Sequence, residues 1–297
     1  MTKAPAFIGF GEVGYYMAHG LGEEGVKGIR AFDPAANGTT PLAETIKKRM
    51  AETGVTQVAS VEELLRDAEI VITAVPAKFN EDAARSALPY MRSDILYVDV
   101  TSCSPLVKEK LAKEFAAKGF RYVDSAMLGA LPNDRHKVPM CCSGDGAKDW
   151  VNAITPWNMK AQLLEGPAGL GSKVKLTRSA FMKGLQALCD ESFLLAKKLG
   201  LEESLLKSLM GTFAKEPVEK MFPRFMCADA VHAERRMHEA AESMALMEEV
   251  GVIPAVTRGV VERMRLTAAM NLREELGGKP PKDAQELYRL WEEKKYA

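Results

Sequence analysis

Short apolar runs alternate with longer stretches of helical apolar period through the first half of the chain. Residues 6–8, 28–32, 55–58, 69–75, 95–100, 120–123 and 138–142 read as strands, and the β-branched run over 69–75 and the run over 95–100 have the character of strands covered on both faces. Between them come amphipathic segments. One follows Gly14 with Tyr16, Met17 and Leu21 in register, and another lies around residues 42–50. A third opens on the capping box Ser60-Val61-Glu62-Glu63. A fourth starts at Ser104-Pro105, where Ser104 can cap a helix and Pro105 can occupy its first turn. This alternation predicts βαβ units and an α/β fold built on a Rossmann-type, doubly wound parallel sheet. The pattern then changes. Glu165-Gly166-Pro167-Ala168-Gly169-Leu170-Gly171-Ser172 is a Gly/Pro punctuation, and no strand pattern follows it. Helices are predicted over 173–199 (with Val174, Phe181, Leu185, Leu188 and Leu195 in register), 202–213, 228–250, 254–275 and 282–294. The reading is an α/β domain over 1–166 and an all-helical domain over 167–297.

Ligands of such sheets lie beyond the carboxyl ends of the strands. The first strand runs into Gly9-Phe10-Gly11-Glu12-Val13-Gly14 and then a helix. In a dinucleotide-binding turn the first Gly makes the tight turn and the second admits a pyrophosphate. The third lets helix and strand pack, and the helix N-terminus presents free N–H groups. The second strand ends in Asp33, at the distance expected of an acid that binds the ribose hydroxyls. The predicted cofactor site is therefore Gly9, Phe10, Gly11, Glu12, Val13, Gly14 and Asp33, with Val75 and Pro76 on the same edge. The plain alternative is a glycine-rich βα turn that binds nothing. A charged Asp33 followed by Pro34-Ala35-Ala36, without arginine, favours NAD over NADP. Thr101, Ser102 and residues 125–130 reach the same edge.

Composition acts mainly by exclusion. Lys plus Arg and Asp plus Glu each number 40 in 297 residues, and neutrality argues against nucleic acid or an anionic membrane surface as partner. No apolar run approaches the ~20 residues of a membrane span. Met1-Thr2-Lys3-Ala4-Pro5 leads directly into the first strand, leaving no room for a signal peptide. Five cysteines without a CxxC pair suggest a reducing, cytoplasmic setting. Cys141-Cys142, inside an apolar run, suit a core. The four histidines lack ligand spacing, and His232 and His238 point to different faces of a helix, so no metal site is expected. The segments holding Met210, Phe213, Met221, Phe222, Phe225 and Met226 read as helix-packing residues. The apolar wealth of the helical half predicts a homodimer or larger homo-oligomer.

The order of motifs resembles the β-hydroxyacid dehydrogenase family, which includes 3-hydroxyisobutyrate dehydrogenase, tartronate semialdehyde reductase and 6-phosphogluconate dehydrogenase. The family's glycine loop falls on Gly9, Gly11 and Gly14. Its Asp-x-Ser-Thr-x-x-Pro segment is similar to Asp99-Val100-Thr101-Ser102-Cys103-Ser104-Pro105. Its Asp-Ala-Pro-Val-Ser-Gly-Gly loop resembles Asp124-Ser125-Ala126-Met127-Leu128-Gly129-Ala130. Its Gly-x-Gly-x-x-x-Lys-x-x-Asn-Asn motif falls on Gly169-Leu170-Gly171-Ser172-Lys173-Val174-Lys175-Leu176-Thr177-Arg178-Ser179, with Lys175 at the catalytic lysine. The resemblance implies NAD as cofactor and Lys175 as general acid/base. It implies a substrate site of Thr101, Ser102, Ser125, Gly129, Arg178, Ser179 and His238, the last where the family's late Lys-Asp pair falls on His238-Glu239. It also implies dimers packed through their helical domains.

Departures from the family pattern point to a divergent subgroup with a substrate other than 3-hydroxyisobutyrate. Leu128 replaces a substrate-binding Ser, and Arg178-Ser179 replace paired Asn on the same helix face as Lys175. Arginine suits bidentate capture of an acidic group, although a surface salt bridge is the plain alternative. Ser102 either meets substrate or caps the next helix with Ser104. A lysine works as base when burial or a neighbouring cation lowers its pKa, and Lys173 and Arg178 are the cations nearest in sequence. The expected function is an NAD(H)-dependent oxidoreductase that interconverts a small 3-hydroxy acid, with room for a second acidic group, and its oxo form. The rivals are an oxidative decarboxylase of a sugar acid, an imine reductase and a non-catalytic dinucleotide sensor. Retention of Lys175 counts against the imine reductase.

Overall fold

The computed structural model describes residues 4–295; Met1, Thr2 and Lys3 of the leading segment lie outside the described residues. The chain divides into two compact units, Met1–Ser179 and Ala180–Ala297.

The first unit alternates strand and helix. Its elements are β1 (Ala6–Ile8), α1 (Glu12–Glu23), β2 (Arg30–Phe32), α2 (Pro41–Thr53), β3 (Thr56–Gln57), α3 (Val61–Arg66), β4 (Ile70–Thr73), α4 (Asn80–Ala87), β5 (Leu96–Asp99), α5 (Pro105–Ala116), β6 (Arg121–Met127), α6 (Leu131–Asp134), β7 (Met140–Ser143), α7 (Ala147–Ile154) and β8 (Ala161–Leu163). The strands form one sheet in the order β3-β2-β1-β4-β5-β6-β7-β8. The order reverses at β1, which pairs with β2 on one side and β4 on the other. Each predicted run overlaps a strand; β4 and β5 are buried at every position, as central strands covered on both faces are, whereas β3 at the sheet edge exposes Thr56 and Gln57. One core packs under each face, one around Phe7, Phe10 and Trp150, the other around Tyr97, Phe115 and Tyr122.

Two features depart from the predicted all-parallel sheet. β7 runs antiparallel to β6, with Ser125 opposite Cys142. The connection between them holds only the four-residue α6 and a short 3₁₀ turn, so no crossover helix returns the chain to the other end of the sheet. β8, unheralded by any apolar run, pairs with β7 at the sheet edge, where Gln162 and Leu163 are exposed. Edge strands need no two-sided apolar cover.

Helix α8 (Leu170–Leu199) starts in the first unit. The second unit contains α9 (Glu202–Phe213), α10 (Val218–Glu249), α11 (Ala255–Ala268), α12 (Leu272–Glu275) and α13 (Ala284–Glu293). α10 begins ten residues before its apolar period does, and Pro223 lies in its second turn. The predicted helix over 254–275 is broken where Asn271 takes the left-handed φ of 55°. The Glu191 carboxylate accepts the Val256 and Thr257 amides, each at 2.8 Å, and so caps α11 from α8. A small core gathers Cys227, Ala230, Leu272, Leu287 and Leu290. Of the Met- and Phe-rich segments, Met221 is buried, but Met210, Phe213, Phe222 and Phe225 are exposed. No helix among the described residues is long and apolar enough to cross a membrane.

Candidate active site

The turn after β1 divides its labour among three glycines. Gly9 has φ +88°, and a Cβ there would sit 2.5 Å from the Ala74 carbonyl oxygen. Gly14 faces the Phe10 ring, where a Cβ would close to 3.0 Å, so this glycine allows helix and turn to pack. A Cβ on Gly11 would meet nothing within 4 Å; Gly11 borders open space, as a backbone that admits a pyrophosphate must. A cavity of about 670 Å³ opens here, lined by Gly9, Gly11, Asp33, Val75 and Pro76 and walled by Leu42, Ile46, Val61, Phe79 and Ala83. Its apolar walls suit a planar base. Glu12 and Val13 form the first turn of α1, while the Phe10 ring belongs to the core. The Asp33 carboxylate accepts the Phe10 amide at 2.8 Å and the Ala35 amide at 2.9 Å. These bonds leave lone pairs for ribose hydroxyls. The residues present fit a dinucleotide.

Farther along the same sheet, Lys175 Nζ donates to Ser102 Oγ. The position of Lys175 is set by how α8 starts. Gly169 takes φ +102°, and a Cβ on Gly171 would lie 2.4 Å from the Cys141 carbonyl oxygen. Only glycine lets the helix press this closely on β7. The Gly169 and Ser172 amides donate to Asp124 Oδ2 at 3.1 and 2.8 Å, and Ser172 Oγ donates to Asp124 Oδ1 at 2.8 Å. The Gly171 amide donates to Ser143 Oγ at 3.1 Å. A carboxylate on the first amides of a helix also opposes its dipole favourably. Asp124 thus caps α8 across the fold.

Beneath this start lies a buried ionic cluster. Asp99 and Asp124 are register partners on β5 and β6, and both are fully buried. Lys108 reaches in from α5, with Nζ 2.6 Å from Asp99 Oδ1, 3.1 Å from the Asp99 carbonyl oxygen and 3.7 Å from Asp124 Oδ1. Asp99 Oδ2 accepts from Tyr122 Oη at 2.5 Å and from Asn80 Nδ2 at 2.9 Å. Burial raises the Tyr122 phenol well above its ordinary pKa, so it stays a donor. Burial lowers the Lys175 pKa most, and the Lys108 cation lowers it further. Lys108 is therefore the cationic neighbour, in place of Lys173 and Arg178. Lys173 is turned to Glu109, at 2.8 Å. Burial pushes the Cys103 thiol up to about 11, which keeps it neutral beside the amine.

The predicted substrate residues fare unequally. Ser102 is exposed at the ligand edge, and its neighbour Ser104 caps α5 through the Leu106 amide. Thr101 is buried; its Oγ1 receives the Val75 amide at 3.4 Å and ties β5 to β4. Ser125 needs correction as a ligand group. It lies fully buried within β6, and its hydroxyl receives Trp150 Nε1 at 3.2 Å, so the sheet consumes it. Gly129 is exposed after β6. Arg178 is exposed and Ser179 half-buried, about one turn beyond Lys175. His238 belongs to the second unit, exposed on α10. Sequence reasoning overlooked Lys108, Asp99, Asp124, Ser143 and Ser172 as site-builders. One signal was present: Lys108 falls on the inward face of α5 with Leu111 and Phe115, a costly place for a charge without a partner.

Comparison with known proteins bears on the family. Residues 5–153 match the family described as the NAD binding domain of 6-phosphogluconate dehydrogenase, and residues 196–267 match a domain of unknown function, DUF1932. The chain is 29% identical to 3-sulfolactaldehyde reductase of Escherichia coli, over 71% of this chain and 70% of that protein. Its fold resembles 3-hydroxyisobutyrate dehydrogenase of Mycobacterium tuberculosis at TM-score 0.63 and 20% identity, covering 91% of this chain and 94% of that one. It also resembles an imine reductase from Pseudomonas sp. at TM-score 0.74 and 14% identity, covering 92% and 96%. The chain belongs to the β-hydroxyacid dehydrogenase family, with an NAD-binding domain of the 6-phosphogluconate dehydrogenase type.

Proposed function

We propose that this NAD-dependent oxidoreductase interconverts a small 3-hydroxy acid and its oxo form, with Lys175 as general acid/base. The observation that carries the reading is the Lys175–Ser102 contact at the ligand edge of the NAD-binding sheet, on an amine whose pKa burial lowers. When bound, the nicotinamide supplies or accepts the hydride. Neutral Lys175 takes the hydroxyl proton in oxidation, and the protonated amine returns it to the developing alkoxide in reduction. Ser102 holds the amine in place and offers a hydroxyl to the substrate oxygen. The exposed Arg178 guanidinium, about one turn farther along α8, suits a second acidic group on the substrate. The sulfo group in the Escherichia coli relative's named substrate supports that class. Ser179 and Gly129 complete the proposed first-unit contacts. The five cysteines are unpaired, which supports work in a reducing cytoplasm.

The test is turnover of purified protein with NAD across 2- and 3-hydroxy acids, with and without a second carboxylate, phosphate or sulfonate, followed by NADH absorbance. Turnover confined to the doubly acidic 3-hydroxy acids supports the proposal. Reduction of cyclic imines with no activity on any hydroxy acid would favour the imine reductase reading instead.

A further inference from the structure

Helix α8 carries Lys175 in its second turn, yet its own sequence is a poor helix start. Gly169 precedes it at φ +102° with no side chain to cap, and its first turn holds no acid. The missing cap comes from the sheet. β6 and β7 run antiparallel with Asp124 opposite Ser143, and both residues are fully buried. This pair receives the free amides in succession. Gly169 N and Ser172 N donate to Asp124 Oδ2 at 3.1 and 2.8 Å, and Gly171 N donates to Ser143 Oγ at 3.1 Å. Ser172 Oγ adds a bond to Asp124 Oδ1 at 2.8 Å. Asp124 thereby supplies the negative charge that the first turn lacks. Its own burial is offset by these donors and by the Lys108 ammonium at 3.7 Å. Just ahead of the helix, the Gly144 amide at the end of β7 donates to the Gly166 carbonyl oxygen at 3.1 Å.

We propose that Asp124 and Ser143 are positioning residues for Lys175: the cap they build across the β6–β7 pair sets the phase of α8 and so delivers the amine to Ser102. The inference deepens the acid/base reading of Lys175 and rests on it. Each residue along a helix turns the side-chain direction by about 100°. A start displaced by one amide would therefore carry Lys175 off Ser102 Oγ, its partner on the loop after β5. Packing alone fixes only how near the helix comes, since a Cβ on Gly171 would lie 2.4 Å from the Cys141 carbonyl oxygen. The directional bonds to Asp124 and Ser143 fix its rotation. Ser102 follows β5, which pairs with β6 in register at Asp99 and Asp124. Both ends of the Lys175–Ser102 contact are thus referred to the same strands.

The experiment reads the seating of the amine by NMR of the whole protein labelled at lysine Cε, with the Lys175 signal identified by its loss in Lys175→Gln. An amine held on Ser102 keeps its two Hε protons in different surroundings, so they resonate apart; a mobile side chain averages them. Wild type should show the split pair, and Ser102→Ala should collapse it. Asp124→Asn puts a donor among groups that already donate, and it should collapse the pair too. NADH affinity should stay near wild type in that variant, since the cavity lining includes neither Asp124 nor Ser143. Ser143→Ala removes only the Gly171 acceptor and leaves the buried charges paired, so it decides the matter if Asp124→Asn does not fold. It should narrow the splitting, and Ser143→Thr, which keeps the hydroxyl, should restore it. A purely structural role would lower Tm and leave the splitting of the folded protein intact. An averaged signal in wild type overturns the inference. So does an undiminished splitting in folded Asp124→Asn or folded Ser143→Ala, or an equal narrowing in folded Ser143→Thr. The readout is independent of turnover, so failure of the acid/base reading, seen as an active Lys175→Ala, is a separate result.

Discussion

At the scale of single residues, Lys175 and Asp33 carry the sharpest consequences. If Lys175 is the acid/base, Lys175→Ala should lower kcat by ~10²–10⁴ while NADH titration returns a Kd near wild type, since the cavity lining does not include it. Lys175→Arg should recover little, because a guanidinium does not release its proton near neutrality. Lys173→Ala should cost far less, since Lys173 is turned to Glu109. The pH dependence follows in sign from the lowered Lys175 pKa. Oxidation needs the neutral amine, so its rate climbs as pH rises through that pKa, sooner than an ordinary lysine near 10.4 would allow. Reduction needs the protonated amine and declines through the same inflection. Opposite limbs with one midpoint in the two directions are the expected profile; a shared limb would contradict it. At Asp33, both oxygens already hold backbone amides, so the carboxylate is fixed where a 2′-phosphate would press on it. Turnover with NAD should exceed that with NADP at matched concentration, and Asp33→Ser should narrow the gap.

At the scale of elements, what could be read in the sequence divides along physical lines. Strands β1, β4 and β5 were legible because double-sided burial leaves them continuously apolar, and α5 because Ser104 and Pro105 mark its start. β8 was not, since an edge strand carries no such signature. The antiparallel turn of β7 was also hidden, because local pattern encodes strand but not direction. The glycine loop and the proposed Lys175 were read from motif spacing. The cluster that seats Lys175 was not, because Asp99, Lys108 and Asp124 are close in space and not in sequence. Ser125 misled for the same reason: nothing local shows that Trp150 takes its hydroxyl. The start of α8 gives an element-scale prediction. Gly171→Ala places a methyl 2.4 Å from the Cys141 carbonyl, so helix or strand must move. The cost should be about 1–3 kcal/mol, as for overpacking elsewhere, read as a lower Tm together with reduced kcat. Gly184→Ala, where a Cβ meets nothing within 4 Å, is the control and should leave Tm unchanged or raised.

For the whole molecule the open quantity is assembly. The second unit leaves large apolar side chains exposed: Phe181 is 50% exposed, Met210 61% and Phe213 45%. Its small core is built on Cys227, Ala230, Leu272, Leu287 and Leu290, far less than helices of 30 and 32 residues could bury. Scattered apolar residues are ordinary on a surface, but a succession of them on α8 and α9 supports an interface. A second copy of the chain is the proposed cover, as the family resemblance implies. A stable interface needs about 1,200–2,000 Å² in all, within reach of two such faces. Sedimentation at micromolar concentration should therefore show a dimer or larger species. Met210→Glu combined with Phe213→Glu should shift it toward monomer, because each charge would have to be buried without a partner. NADH affinity should survive in that variant, since the glycine turn and the cavity belong to the first unit. A wild-type protein sedimenting only as monomer would contradict the proposal, and an undisturbed oligomer in the double variant would move the interface to another face.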